Sequence, residues 1–184
     1  NLREALIEAA RATLAAEGLE GLSLRKVAER AEVSATALYS HFKDKRELLA
    51  LLATQGFEQL SCSMQTAALA YADKEQASQM NLSGLALGYT SFALENPALF
   101  RLMFGREVGD LLEFPALVEA GAKSYSMMAD CVAQQVRASG SSTSPAIAAT
   151  AAWSAVHGLS TLLNDGRVSP ATCGVASNED IVLQ

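Results

Sequence analysis

The sequence predicts an all-α protein made of a small N-terminal head of three helices and a larger helical body. Half of the 184 residues are hydrophobic, but only 6% are aromatic. Residues with high helix propensity, such as Ala, Leu, Glu and Gln, recur along almost the whole chain, whereas runs of β-branched residues are few. A chain of this length suits one compact unit or a small head on a larger body.

Three short helices are predicted at the N-terminus from apolar spacing and from the residues at their ends. Apolar side chains recur every three to four positions from Leu2, and Gly18 can end this first helix with a left-handed backbone. The second helix starts at Ser23 and the third at Ser34, because serine is a favourable N-cap residue. We expect the third helix to run from about Ala35 to Phe42.

A long fourth helix is predicted to connect the head with the body. Asp44 and Glu47 form an acidic capping box at its start, and apolar spacing continues towards Tyr71. Asn96 and Ser144 each place a capping side chain before a proline suited to a first helical turn. Later helices are expected near residues 76–95, 97–104, 115–139 and 145–164, followed by a surface loop over 165–177 and a last helix capped by Ser177 and Asp180.

The charge distribution separates the head from the body. The net charge is −6, but residues 1–55 hold eight Lys or Arg and eight Asp or Glu, so the rest of the chain carries the acidic surplus. Between Leu24 and Arg46 there are six basic residues against three acidic ones. Because attraction to phosphate acts over about a Debye length, a local basic face on an acidic body is compatible with DNA binding.

Several classes of protein are excluded by what the sequence lacks. No run approaches the roughly 18 uninterrupted apolar residues of a membrane span and no leader peptide is present, so we expect a soluble, cytoplasmic protein. Cys62, Cys131 and Cys173 are odd in number and far apart, which indicates neither disulfides nor a metal cluster. No catalytic motif, phosphate-binding loop or metal-ligand spacing predicts an enzyme or a cofactor.

The segment from Ser23 to Lys45 has the composition of two helices that cross steeply. Ala28 is small enough for a close crossing, and Val27, Val33 and Leu38 supply an apolar plug. Tyr39 and Phe42 could simply plug the core between the third and fourth helices. Arg25, Lys43 and Arg46 could likewise form an ordinary solvated face.

The order Leu38-Tyr39-Ser40-His41-Phe42, with Lys45 starting the next helix, resembles the signature of the TetR (tetracycline-repressor-like) family of transcription factors. The resemblance covers about residues 3–58. It implies that the third helix enters the major groove of an operator, that Tyr39 and Lys45 contact phosphates, and that residues near the start of the third helix approach bases. The implied DNA-binding residues are Ser23, Arg25, Ser34, Ala35, Thr36, Ala37, Tyr39, His41 and Lys45.

Glu32 departs from this family pattern, which has glycine in the turn between the two crossing helices. A left-handed backbone at a non-glycine residue costs about 1 kcal/mol, and the carboxylate lies near the expected phosphates. The fold should survive this strain. An alternative function, a helical ligand-binding or interaction protein with weakened or lost DNA binding, rests on this residue and on the acidic surplus.

The body carries a second resemblance, to the C-terminal domain of a TetR subgroup that is named for its Trp-His-Gly segment. The matching residues are Tyr89, Phe92–Pro97, Phe100–Phe104 and Trp153–Leu159. The two resemblances together imply a DNA-binding domain at residues 1–46 and an effector-binding and dimerisation domain at 47–184. They also imply that effector binding favours one tilt of the fourth helix and so changes the separation of the two heads.

A small, largely apolar effector is expected to lie between the fourth helix and the body helices, where methionine and aromatic side chains can adapt to it. The same side chains could instead be packed core, and a buried hydrogen bond is the alternative role of His157. The expected effector contacts are Met64, Tyr89, Phe92, Met103, Phe104, Met127, Cys131, Trp153 and His157, with Phe57, Leu60, Leu85 and Met128 as further lining.

A homodimer is expected because one short reading helix gives little affinity, whereas a two-fold pair reads both halves of a palindrome about 34–36 Å apart. Small and aliphatic residues in the helix from Pro145 should let two helices approach closely. The predicted interface residues are Ala149, Ala152, Val156, Leu159 and Leu163.

Overall fold

The computed structural model describes residues 1–71 and 81–183, and within these ranges it is all helical, as predicted. A 3-10 turn at Leu111–Glu113 accompanies the α-helices. The expected start of a helix near residue 76 lies outside the described residues. The helices are α1 Leu2–Gly21, α2 Leu24–Arg30, α3 Ala35–Tyr39, α4 Lys45–Ala70, α5 Leu82–Glu95, α6 Pro97–Phe104, α7 Pro115–Ala138, α8 Pro145–Asn164, α9 Pro170–Cys173 and α10 Asn178–Leu183.

The chain divides into two compact units that are interleaved in sequence. Unit 1 contains Asn1–Phe57 and Asn96–Gly121, and unit 2 contains Glu58–Glu95 and Ala122–Gln184. This division by packing differs from the functional domains predicted at residues 1–46 and 47–184, which remain a prediction.

The starts of α2 and α3 are fixed by the serines predicted to cap them. The Ser23 hydroxyl accepts a hydrogen bond from the Lys26 amide at 3.3 Å, and the Ser34 hydroxyl accepts one from the Ala37 amide at 3.2 Å. Gly18 interrupts α1 with φ +70°, at the position where the sequence predicted an end.

The third helix is shorter than predicted, because it ends at Tyr39 and not at Phe42. The amides of His41 and Phe42 both donate to the Leu38 carbonyl, so the chain leaves the helix in a tight turn. As a result, His41 lies just beyond α3 and not on it.

Glu32 has the left-handed backbone that the sequence raised as a possibility, with φ +56°. The Glu32 amide donates to the Glu29 carbonyl, and the Val33 amide donates to the Ala28 carbonyl. These two bonds form a Schellman motif, which satisfies the last carbonyls of α2 and turns the chain towards α3. The turn therefore depends on a conformation that glycine adopts without strain and glutamate does not.

Capping at the later helices agrees only partly with the prediction. Asp44 accepts from the Glu47 amide at 2.9 Å as expected, but the Glu47 carboxylate accepts from the Lys43 amide and not from Asp44. α6 and α8 begin at the predicted prolines, yet neither Asn96 nor Ser144 forms a side-chain capping bond. The conformation of proline alone marks these two starts.

Unit 2 is held together by packing of α5 against α8 and by polar contacts between its helices. Ser63 of α4 donates to the Gly88 carbonyl at 2.8 Å, and Asn164 of α8 donates to the Ala93 carbonyl at 3.1 Å. The fully buried Ser160 donates to Thr90 at 3.3 Å. Such bonds fix the register of α8 on α5, because buried polar groups are costly when they are unpaired.

The C-terminal part of unit 2 contains more helix than predicted. The segment 165–177 was expected to be a loop, but it includes the short helix α9, which Ser169 and Thr172 cap reciprocally. α10 follows as predicted, with Ser177 and Asp180 bonded to each other's backbone amides.

By length and composition alone α8 could cross a membrane. In the chain, 22% of its most apolar window is buried. Polar residues such as Thr150, Ser154 and His157 interrupt it. This is weak evidence for a span, because a helix that packs against other protein passes the same test.

Replacing Glu32 with glycine should raise the free energy of unfolding by about 1 kcal/mol, because the left-handed strain is removed. Denaturant unfolding would measure the change. Glu29→Gly is the matched control, since Glu29 lies in helical backbone three residues earlier, and this variant should lose about 1 kcal/mol. Equal losses from both substitutions would show that Glu32 is not strained.

Candidate DNA-binding surface and effector site

The residues predicted to contact DNA all lie in unit 1, on α2, α3, the following turn and the first turn of α4. Tyr39 is 58% exposed although it lies in a helix of five residues. The exposed members of the set are Arg25, Ser34, Ala35, Thr36 and Tyr39, and the half-buried members are Ser23, Ala37, His41 and Lys45.

Burial of the neighbours of Tyr39 explains why its ring points outward. Leu38 and Val27 are completely buried and Phe42 is 1% exposed, so the inner side of α3 is occupied by the core of unit 1. The plug role is therefore correct for Phe42 and wrong for Tyr39. Val33, which was expected in the same plug, is only half-buried.

The serines that cap α2 and α3 have a second chemical capacity. Each hydroxyl oxygen accepts a backbone hydrogen bond, while its proton can still be donated to a phosphate oxygen. Both lie at helix N-termini, where the aligned peptide dipoles favour a negative charge. The geometry of Ser23 and Ser34 is therefore suited to phosphate contact.

The basic side chains of this surface differ in whether they form ion pairs. Arg25 pairs with Glu29 at 3.0 Å, but both side chains are mostly exposed, so this pair contributes little to stability and a phosphate could replace it. Lys26 pairs with Glu17 of α1. No ion pair to Lys45 is found in the described parts of the chain.

Arg46 is the residue of this region whose long-range contacts sequence reasoning missed. Its Nε donates to the Val108 carbonyl at 2.8 Å, and its Nη2 donates to Glu113 at 2.9 Å. One feature of the sequence could have indicated that Arg46 has acceptor partners. It is a basic residue in the first turn of a helix, where the helix dipole disfavours a positive charge.

Three of the predicted effector residues form one polar aromatic cluster in unit 2. The Tyr89 hydroxyl and the His157 Nδ1 are 2.8 Å apart, and Trp153 forms a hydrogen bond with Tyr89. The Trp153 and His157 rings lie 5.7 Å apart. The hydrogen bond expected as the alternative role of His157 is thus present, although it is only partly buried.

Protonation states in this cluster follow from burial. Burial raises the pKa of Tyr89, despite the opposing hydrogen bond from Trp153, so its hydroxyl keeps its proton and can donate. Burial lowers the pKa of His157, so its ring stays neutral and Nδ1 can accept. The indole N–H can only donate. Donation from Trp153 to Tyr89 and from Tyr89 to His157 is compatible with these protonation states.

The other predicted effector residues are divided between the two units. Met64, Phe92 and Cys131 are buried in unit 2, Met127 is half-buried there, and burial raises the pKa of the Cys131 thiol. Met103 and Phe104 belong to unit 1, where the Phe104 ring lies 5.3 Å from that of Phe57. The further lining residues Leu60, Leu85 and Met128 are buried in unit 2.

A largely apolar cavity of about 300 Å³ lies in unit 2 between α5, α7, α8 and α10. This is at the lower end of the range of ligand pockets. Met128 was predicted as an effector-lining residue, whereas Ala152, Val156 and Leu159 were predicted in the dimer interface. The cavity is lined by Leu82, Ser83, Ala86, Met128, Ala152, Ala155, Val156, Leu159 and Val182.

Three of the five residues predicted for dimerisation lie on the inner face of α8, whereas Ala152 and Leu159 are half-buried. Ala149 is 2% exposed, Val156 7% and Leu163 9% within a single chain, so these side chains pack inside unit 2. The opposite face of the helix carries small and aliphatic residues that face outward or lie at its edge. These residues are Ile147, Ala151, Ser154, Gly158 and Leu162.

Comparison with known sequences assigns both halves of the chain. Residues 6–52 match the family described as "Bacterial regulatory proteins, tetR family", and residues 82–178, more than half of the chain, match "Tetracyclin repressor-like, C-terminal domain". The class C tetracycline repressor protein of Escherichia coli is 53% identical over 51 residues, which are 28% of this chain and 23% of that protein. The match thus spans less than a quarter of that repressor.

Solved structures resemble the whole chain. A protein of unknown function from Rhodococcus sp. RHA1 is 30% identical, with a TM-score of 0.80 over 100% of this chain and 90% of the other. A putative TetR-family transcriptional regulator from Rhodococcus sp. is 24% identical, with a TM-score of 0.70 over 99% and 95% of the two chains. Membership of the Trp-His-Gly subgroup remains a prediction.

The exposed α3 surface, the helical body and these matches agree with one another. Members of the matched family are regulators and not enzymes; they bind DNA, commonly as dimers, and respond to small molecules. The chain belongs to the TetR family of transcriptional regulators.

Proposed function

We propose that this regulator is a repressor that binds a palindromic operator as a dimer and is released by a small, largely apolar effector. The observation that carries the proposal is the orientation of α3, which buries Leu38 and leaves Thr36 and Tyr39 exposed. A helix with this orientation can enter a major groove without any rearrangement of the core of unit 1.

The DNA contacts divide into those that position the head and those that read bases. Tyr39 and Lys45 would contact phosphates, together with the capping hydroxyls of Ser23 and Ser34. Thr36 would offer a methyl group to thymine or a hydroxyl group to a base edge. Ala35, Ala37, His41 and Arg25 complete the proposed surface.

The proposed dimer forms through the outer face of α8. Ile147 is 67% exposed and Leu162 44% exposed in a single chain, so packing against a second helix would remove apolar surface from water. A Cβ atom at Gly158 would meet nothing within 4 Å in a single chain. Since a glycine in mid-helix costs about 0.5–1 kcal/mol relative to alanine, close approach of a second helix would give it a role.

The proposed effector occupies the 300 Å³ cavity between α5, α7, α8 and α10. Its walls are mainly aliphatic, with Met128 as an adaptable side chain. The cluster of Tyr89, Trp153 and His157 would act as a support for α5 and α8, because its polar atoms already bond one another. Because α4 belongs to both units, an effector-dependent change in its tilt would change the distance between the two heads of a dimer.

The alternative is a helical ligand-binding or interaction protein whose DNA binding is weakened or lost. The strained Glu32 and its carboxylate near the expected phosphates favour this alternative. A titration with random duplex DNA at two salt concentrations distinguishes the two functions, since only the DNA binder shows affinity that falls as salt rises.

Tyr39→Phe and Lys45→Gln should weaken binding to all duplexes by a similar factor, because both residues would contact phosphates. Lys45→Gln should also reduce the slope of log affinity against log salt by about 0.9. Thr36→Val should instead change the preference among sequences in a selection from random duplexes. Lys123→Gln, which removes the same charge from α7, is the control; an equal effect of this variant would reject a specific role for Lys45.

Gly158→Arg should convert the dimer to a monomer while leaving the fold of the chain intact, because the added side chain has open space in one chain but not in a dimer. Sedimentation velocity would measure the mass, and circular dichroism the helix content. Ser126→Arg, at an exposed position of α7, is the matched control and should stay dimeric. A monomeric wild-type chain, or a dimeric Gly158→Arg variant, would disprove the proposed interface.

Ala152→Phe should reduce binding of 8-anilinonaphthalene-1-sulfonate, a fluorescent anion that reports on apolar sites, because the phenyl ring fills the proposed effector cavity. Ala146→Phe places the same ring at an exposed position of the same helix and should leave probe binding unchanged. If both variants bind the probe as the wild type does, the effector lies elsewhere.

A further inference from the structure

The side chain of Arg46 turns away from the proposed phosphate contacts. Arg46 directly follows Lys45 in the first turn of α4, but its guanidinium group is bonded to residues that lie more than sixty positions later in the chain. Its Cζ also lies 5.6 Å from the centre of the Phe114 ring. Three separate contacts, to a carbonyl, a carboxylate and an aromatic face, thus hold one cation.

The segment 108–114 is shaped to receive this guanidinium group. Val108, whose carbonyl accepts from Nε, is 2% exposed and anchors the segment in the core of unit 1. Gly109 has φ +81°, and a Cβ atom there would lie 3.1 Å from the Arg46 Nη2. The Asp110 side chain caps the 3-10 turn by accepting from the Leu112 amide at 3.0 Å. A larger residue at 109 would therefore crowd the guanidinium group.

Nearby acidic groups stabilise the positive charge of Arg46 in its present position. A cation in the first turn of a helix is opposed by the helix dipole. The hydrogen bond with Glu113 raises the pKa of Arg46, and the nearby charges of Asp44 and Asp110 act in the same direction. A phosphate contact by Arg46 would have to break two hydrogen bonds, whereas Lys45 has no such partner to give up in the described part of the chain.

We infer that Arg46 is a positioning residue for DNA binding, which ties the first turn of α4 to residues 108–114 and thereby fixes the place of Lys45. This inference rests on the proposed phosphate contact of Lys45. Arg46 contributes by holding the first turn of α4 in place. If this turn were free to fray, Lys45 would occupy a range of positions. Glu113, although it is an acid, therefore supports DNA binding.

Substitution of Glu113 separates positioning from simple charge effects. The wild-type chain is first used to enrich a duplex from a random library, and affinities for that duplex are then compared. Glu113→Ala should bind about three- to tenfold more weakly, because Arg46 loses one of its contacts. Glu119→Ala removes the same charge from an exposed position of α7 and should bind as tightly as the wild type or more tightly. Glu113→Gln keeps an acceptor and should recover most of the affinity.

Two further readouts exclude a general structural effect. The salt dependence of Glu113→Ala should equal that of the wild type, since no phosphate contact is removed, whereas Lys45→Gln flattens it. Gly109→Ala should weaken binding by crowding Arg46. Gly140 also has a positive φ, of +64°, but a Cβ atom there would meet nothing within 4 Å, so Gly140→Ala should not weaken binding.

The inference is overturned if Glu113→Ala binds as tightly as Glu119→Ala, or if its salt dependence falls as that of Lys45→Gln does. A wild-type chain that enriches no duplex would overturn the proposed function and this inference with it. Weak binding by Glu113→Ala, with rescue by Glu113→Gln and an unchanged salt dependence, supports positioning.

Discussion

Burial of Val27, Leu38 and Phe42 is the constraint on which the proposed DNA-binding surface depends. α3 has only five residues, too few to be stable as an isolated helix, so its orientation comes from the side chains that it buries. Leu38 and Phe42 lie on either side of Tyr39 in sequence and both face the core, which leaves the Tyr39 ring outside. The same packing turns Thr36 outward, and the proposed reading of bases follows from that orientation.

Local chemistry explains which parts of the fold could be predicted from the sequence. The starts of α2, α3, α6 and α8 depend on a capping serine or a proline within one helical turn. These residues can be recognised in the sequence without knowledge of the tertiary structure. The end of α3 at Tyr39 could not be predicted, because no helix-stopping residue lies at or next to this position. The contacts of Arg46 could not be predicted for a related reason, since its partners are more than sixty residues away.

The inner face of α8 could not be chosen from the sequence, because nearly every face of this helix carries alanine or another small apolar residue. Periodicity identifies a buried face only when the opposite face is polar. Here the polar contacts of Ser160 and Asn164 with α5 decide which side packs inward. The outward side then keeps Ile147 and Leu162, and this uncovered apolar face of α8 is the physical basis of the proposed dimer.

Unit 1 combines the head with α6 and the segment that leads into α7, and this arrangement constrains how an effector could act. The chain passes between the units within α4, within α7 and at the junction of α5 with α6. α4 begins at Lys45, and residues 108–114 lie immediately before α7. Arg46 therefore connects the first turn of α4 to the segment that leads into α7. An effector that moved α4 and α7 differently in unit 2 would strain this contact in unit 1, where the proposed phosphate anchor lies.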